Sequence, residues 1–285
     1  MNRHVIVKPL AIAAVVGACA FAVPTASALQ DLASPEAIAE AAVQSGCRSV
    51  AFTYNDPVIF LEYAVDVAQA CRERGIKTVA VSAGYICAEP RAEFFRHMDA
   101  ANIDLKGFTE RFYKGLCSAR LGPVLETLEY LKHETNVWFE ITTLLIPGEN
   151  DEPTEVEALS RWVREHLGPD VPLHFTAFHP DWKMLDTPAT PAATLRRART
   201  IAQDAGLRYV FTGNTHDEAG QSTYCHACKT RLIGRDWYDL TAWNLTADGC
   251  CATCGESCAG VFEDRPGTWG RRRRPTRVQA HAVGA

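Results

Sequence analysis

The sequence predicts an α/β protein, a partial βα barrel followed by a small Cys-rich segment, and three observations carry that prediction. From residue 31 onward, short β-branched runs alternate with longer amphipathic stretches, which is the pattern of repeated βα units around a parallel sheet. A helix-length segment follows nearly every strand candidate, which favours a barrel over a sandwich and leaves a doubly wound open sheet as the alternative. After about Thr215 the alternation gives way to a stretch rich in Cys, Gly and Trp, which marks a boundary. The expected organisation is a signal-peptide-like or misassigned leader over 1–30, the barrel over 31–215, a zinc-ribbon-like segment over 216–270 and a basic disordered tail over 271–285.

Six strands are predicted, over 49–54, 78–83, 102–106, 137–146, 172–178 and 209–213, separated by segments long enough for crossover helices. Ser34-Pro35-Glu36 opens the first helix with a hydroxyl at the N-cap and Pro at the first helical position. The second helix is expected over 58–74, where Gly75 stops it. Later helices fit 91–98, 121–133, 152–166 and 191–205.

With 285 residues, 47% hydrophobic and 22% charged, the chain has the composition of a globular protein and can bury a sizeable core. A formal charge of -5 supplies no field to attract nucleic acid, which is not an expected partner. Beyond the leader no apolar run is long enough to span a bilayer. Gly-x-Gly-x-x-Gly, the P-loop pattern and Gly-x-Ser-x-Gly are all absent, so dinucleotide, P-loop and serine-hydrolase chemistry have no foothold. In the leader, Arg3, His4 and Lys8 precede an apolar run from Leu10 to Val23, and Ala26-Ser27-Ala28 is a small-x-small pattern, as in a secretory signal peptide.

Polar residues fall where a parallel sheet presents ligands, at the carboxyl ends of strands. Asn55 and Asp56 follow the first strand and either meet a ligand or cap the helix that begins near Pro57. On the third, Asp104 and Lys106 share a face and must be satisfied by each other or by a ligand. Glu140 is a lone acid in an apolar run and needs a partner. His174 and His179 stand an odd number apart, so at most one points into the barrel.

Taken in order, Phe52-Thr53-Tyr54-Asn55-Asp56-Pro57, Asn102-Ile103-Asp104-Leu105-Lys106, Thr142-Thr143-Leu144-Leu145-Ile146-Pro147-Gly148 with Asn150-Asp151, and Tyr209-Val210-Phe211-Thr212-Gly213-Asn214 resemble radical S-adenosylmethionine (SAM) enzymes. The branch they look most like is that of the AmmeMemoRadiSam system, related to the activating enzymes of glycyl-radical enzymes, over roughly residues 31–270. That resemblance implies a partial βα barrel with a [4Fe-4S] cluster whose unique iron is chelated by SAM. One-electron reduction then yields a 5'-deoxyadenosyl radical that abstracts hydrogen from a protein or small-molecule substrate. It also implies an electron donor as partner and a cytoplasmic location, against the export suggested by the leader. The SAM-binding residues it implies are Thr53, Tyr54, Asn55 and Asp56 near the amino group, Ser82 beside Gly84, Asp104 and Lys106 on the methionyl moiety, Glu140, and His179 near the ribose.

The sequence departs from that family at the cluster. The Cys-x-x-x-Cys-x-x-Cys triplet that binds it occurs nowhere in the 285 residues, and the leader stands where the first strand and its loop belong. Three thiolates are needed to hold the iron, so the radical step has no mechanism without them. The expectation is a radical SAM enzyme truncated and inactive as written, with Lys8-Pro9-Leu10 as a remnant of the family's register. The alternative is a non-catalytic exported or scaffold protein that uses a degenerate barrel and a metal-stapled tail to bind a partner.

The chain has eleven Cys, an odd number. Cys47, Cys71, Cys87 and Cys117 stand singly and are expected to be buried as small hydrophobes. Cys225-His226-Ala227-Cys228 and Cys251-Ala252-Thr253-Cys254 repeat Cys-x-x-Cys in near zinc-ribbon spacing, which suits tetrahedral Zn2+ on Cys225, Cys228, Cys251 and Cys254. An auxiliary iron-sulfur cluster, or disulfides if the chain is exported, are the other readings.

Overall fold

Six short parallel strands form on the predicted β-branched runs: β1 (Ser49–Phe52), β2 (Lys77–Ser82), β3 (Ala100–Asp104), β4 (Trp138–Leu145), β5 (Leu173–Ala177) and β6 (Val210–Gly213). This computed structural model describes residues 33–267 together with Gly270, Arg272, Arg273, Pro275, Thr276 and Val278. The predicted leader and most of the predicted tail lie outside the described residues.

The strands pair in sequence order, each parallel to the next. Right-handed crossovers that always step in one direction place the connecting helices on the same face of the sheet, which answers the doubly wound alternative in favour of the barrel. On the helix-covered face Ile103, Leu105, Phe139, Ile141, Leu145, Leu173 and Phe175 are buried in one cluster. Side chains alternate along a strand, so Asn102, Asp104, Glu140, Thr142, His174 and Phe211 fall on the other, inner face.

The helices are α1 (Pro35–Gln44), α2 (Leu61–Glu73), α3 (Ala88–Phe95), α4 (Glu110–Phe112), α5 (Gly122–Glu134), α6 (Pro153–Trp162), α7 (Ala192–Asp204) and α8 (Glu218–Gln221). Ser34 caps α1 by accepting from Ala37 N, as the hydroxyl-Pro pattern predicts. The apolar stripe of α2 (Ala64, Val65, Ala68, Cys71) packs on the sheet. Leu128, Leu131, Leu167 and Leu195 are fully buried, each contributing roughly 1.5–3 kcal/mol of transfer free energy.

Several boundaries differ from the sequence-based expectation. The segment 57–60 is a 3-10 turn before α2, because Pro57 lacks an N–H and Asp56 caps it by accepting from Val58 N. Helix α3 starts three residues early, with Pro90 in its first turn, where the missing N–H costs nothing. Strand β3 ends at Asp104, so Lys106 stands just beyond it rather than on the strand. Of the four single cysteines, Cys71 is buried, Cys117 is half-buried and Cys47 and Cys87 are exposed. The last two sit in the turn before β1 and at the N-cap of α3.

Beyond β6 the chain forms an antiparallel sheet of β7 (Thr223–Tyr224), β8 (Arg231–Asp236) and β9 (Asp239–Trp243), with β8 in the middle. Its core is small, with Leu232, Ile233, Leu245, Cys225, Cys251 and Cys258 packing around Tyr209 of the barrel. The Tyr209 hydroxyl accepts from Ala259 N at 3.0 Å and ties this C-terminal module to the foot of β6.

Gly84, just after β2, has φ of +68°, and a Cβ there would lie 2.8 Å from Ile103 Cγ2. Gly84→Ala is therefore expected to destabilise by about 1–3 kcal/mol. Urea unfolding should show a lower midpoint with an unchanged slope; an unchanged midpoint would refute the packing argument.

Candidate functional site

At the carboxyl ends of the strands the inner face carries a continuous polar line. Thr142 Oγ1 donates to Asn102 Oδ1 at 2.7 Å, and Asn102 Nδ2 donates to Asp104 Oδ1 at 3.0 Å. Lys106 Nζ reaches Asp104 Oδ2 at 2.9 Å. Asn102 is buried, whereas the Asp104 and Lys106 side chains are 32% and 42% exposed, so the line runs from the sheet interior to the solvent at the mouth. Asn150, buried after β4, holds this arrangement. Its Nδ2 donates to Lys106 O and Leu144 O, and its Oδ1 accepts from Ile146 N. One amide side chain thus fixes the ends of β3 and β4 against each other.

Thr53, Tyr54 and Asn55 form an exposed turn after β1, with Tyr54 91% exposed and at a φ of 71°. Asp56 is directed elsewhere. Besides capping Val58, its carboxylate accepts from Ser82 Oγ at 2.9 Å and Ala83 N at 2.8 Å. Asp56 and Ser82 therefore fasten the β1 turn to the end of β2, the capping role that the Asp-Pro pattern offers, extended to a second strand. His179 is exposed beyond β5, with Nδ1 3.2 Å from Pro180 O.

Glu140 lies nearer the foot of β4 and is drawn away from the mouth. His174 Nε2 is 2.7 Å from Glu140 Oε2, and Trp138 Nε1 donates to Oε1 at 3.4 Å. His174 is thus the histidine that points inward. It stacks on Phe211 with ring centroids 5.0 Å apart, and the Arg235 guanidinium lies 5.6 Å from the same Phe211 ring. Burial pulls Arg235 down to about 10, opposed by the Glu140 charge, so it is positive at neutral pH. These residues line a cavity of about 90 Å³ between the inner face and the C-terminal module. Sequence reasoning missed Arg235; its only signal was a cation closing the apolar run Leu232-Ile233-Gly234.

Cys225, Cys228, Cys251 and Cys254 converge with their sulfurs within 4.8 Å of one another, 3.6 Å for Cys225–Cys254 and 3.7 Å for Cys228–Cys251. A single tetrahedral ion with bonds of about 2.3 Å holds its sulfurs about 3.8 Å apart. A four-iron cluster directs each thiolate outward from a separate iron and spreads them farther. The 3.6 and 3.7 Å separations match the spacing around one ion. Cys258 stays apart, its thiol pushed up to about 11 by burial.

Among the described residues this tetrad is the one group of three or more His, Cys, Asp or Glu side chains placed to hold a metal. The cysteines of the barrel are scattered over the turn before β1, α2, the start of α3 and the turn after α4. The barrel residues present do not fit a [4Fe-4S] cluster. No described helix is long and apolar enough to cross a membrane.

A model of the radical SAM superfamily matches residues 19–159. An uncharacterised protein of Methanocaldococcus jannaschii is 39% identical over 224 residues, which are 78% of this chain and 66% of that relative's length. Among solved structures, a domain of pyruvate-formate lyase-activating enzyme from Bacteroides vulgatus aligns with a TM-score of 0.52 at 18% identity, over 58% of this chain and 99% of that one. A radical SAM methyltransferase from Sphaerobacter thermophilus aligns with a TM-score of 0.51 at 14% identity, over 62% of this chain and 54% of its own. These likenesses show a shared fold.

The module's core is too small to order it alone, so removing the ion should loosen it selectively. A strong chelator is expected to raise amide exchange over 222–260 while β2–β5 keep their protection, and Cys228→Ser should reproduce the effect with lower metal content. Unchanged exchange in both would count against a structural ion.

Proposed function

Because this chain belongs to the radical SAM superfamily, we propose that the mouth of its barrel binds S-adenosylmethionine, and that its branch is that of the AmmeMemoRadiSam system. The observation that carries this reading is the Thr142–Asn102–Asp104–Lys106 line. It sets opposite charges side by side, partly exposed, at the carboxyl ends of parallel strands, where this architecture binds ligands. An aminocarboxylate head group would exchange the Asp104–Lys106 ion pair for two of its own, ammonium on Asp104 and carboxylate on Lys106. An exposed pair is worth about 1 kcal/mol or less, so opening it costs little. Thr53 and Asn55 present further hydrogen-bonding groups in the exposed turn after β1, two strands away, and Asp56 with Ser82 fastens that turn to the end of β2.

In this superfamily a reduced cluster supplies the electron that cleaves SAM. The 285 residues carry no thiolate triplet for it. A polypeptide of this sequence is therefore expected to bind SAM without cleaving it. We assign zinc to the Cys225, Cys228, Cys251 and Cys254 tetrad, since two Cys-x-x-Cys knuckles with sulfurs at tetrahedral spacing suit that ion.

Calorimetric titration of the full-length chain with SAM tests the reading. Saturable binding is expected, weakened about tenfold or more (~1.4 kcal/mol) in Asp104→Asn and Lys106→Met. Absence of SAM binding would sink the site. After anaerobic iron and sulfide reconstitution, neither a SAM-perturbed [4Fe-4S] signal nor 5'-deoxyadenosine is expected, and either one would overturn the non-cleaving assignment.

A further inference from the structure

The cavity between the inner face and the C-terminal module holds two buried charges that do not meet. Glu140 and Arg235 are each 7% exposed. Glu140 is engaged by His174 and Trp138, and Arg235 donates through Nη1 alone, to Gln221 O at 3.0 Å and Thr223 Oγ1 at 2.7 Å. Among the described residues nothing accepts from Arg235 Nε, and no hydrogen bond leaves Nη2. The Nε–Nη2 edge is the side of a guanidinium that takes a carboxylate in two parallel hydrogen bonds. Leaving Nε unpaired in the interior is costly unless a ligand completes it.

The placement of Arg235 is built into the local backbone. A bulge between Gly234 and Arg235 interrupts the β8–β9 ladder, and a bulge re-aims the side chain that follows it. A Cβ at Gly234 would lie 2.5 Å from Thr241 Oγ1 and 2.9 Å from Ala242 N, so this close approach of β8 to β9 needs glycine. Around the two charges the walls are aromatic, from Trp138, Tyr209, Phe211 and Phe262.

We propose that this cavity binds a small zwitterion, an α-amino acid with a flat apolar side chain, its carboxylate on the Nε–Nη2 edge of Arg235, its ammonium toward Glu140 and its side chain among the rings. A zwitterion answers both buried charges at once, whereas a simple anion would face Glu140 and a simple cation would face Arg235. That this ligand sits beside a bound SAM rests on the function proposed above; the binding itself does not.

Calorimetry on the full-length, metal-loaded chain tests it with L-phenylalanine, L-tyrosine, 3-phenylpropionate and phenethylamine. At least one of the amino acids is expected to bind, with both single-charge analogues weaker by about tenfold or more. Arg235→Lys keeps the charge but loses the fork, and should weaken the amino acid by a similar factor while sparing phenethylamine. Glu140→Gln, an isosteric change, should spare 3-phenylpropionate and keeps the test decisive if the Arg235 variant does not fold. No binding of either amino acid at millimolar concentration, equal binding of an analogue, or unchanged affinity in Glu140→Gln would each overturn the proposal. SAM titrated alongside separates the two ideas. Retained SAM binding without amino-acid binding sinks this inference alone, and the reverse result sinks only the SAM site.

Discussion

An acid on the inner face of the central strand has to be answered by donors, and the 2.7 Å contact between Glu140 and His174 organises much of what surrounds it. His174 comes from β5, stacks on Phe211 of β6, and Phe211 in turn lies beneath the guanidinium of Arg235 from β8. Four strands from two sheets are thereby tied at one place. Removing one partner from such a contact leaves the other unsatisfied in the interior, at about 1–3 kcal/mol, yet replacing the whole group by apolar side chains is often neutral. The charges are thus poor explanations of stability. Tyr209, Leu232 and Ile233 already supply an apolar contact between module and barrel.

The same constraint acts along the whole inner face. Winding in one direction gives the sheet two unlike sides, one sealed by helices and one that must satisfy its polar groups laterally. Between β3 and β4 this produces the Thr142–Asn102–Asp104–Lys106 line, and between β4 and β5 the Glu140–His174 pair. The two groups are two residues apart on β4, Glu140 and Thr142, yet they open in different directions, one to the mouth and one to the module. Asn150 accounts for part of the separation, because it pins the end of β3 to β4 and so holds Lys106 at the rim.

The βα alternation was legible because it depends on local pattern. All six strands fall within two residues of the predicted ranges, and Ser34-Pro35 marked the start of α1 by capping chemistry that needs no tertiary information. The pairing of Asp104 with Lys106 followed from spacing, although Lys106 proved to sit past the strand. Glu140 was recognisable as an acid in need of a partner, but the partner was not, since His174 is 34 residues away and Arg235 still farther. Arg235 was hidden altogether, because a bulge, which has no reliable sequence mark beyond Gly234, decides where it points. The small antiparallel sheet was equally obscure.

A single ion on the four-cysteine centre would not do the work of a SAM-chelating cluster. Four thiolates on one tetrahedral ion leave no open coordination position for an amino group and a carboxylate to occupy. The effect of such an ion on the barrel would be mechanical, and a short route exists. Cys225 is two residues from Thr223, and Thr223 Oγ1 accepts from Arg235 Nη1 at 2.7 Å. Closing the knuckle at Cys225 and Cys228 therefore sets β7, β7 sets one end of the Arg235 guanidinium, and the opposite edge of that fork is what the cavity presents. An ion held by the tetrad would thereby act on the buried cation through β7, since none of the four cysteines lines the cavity.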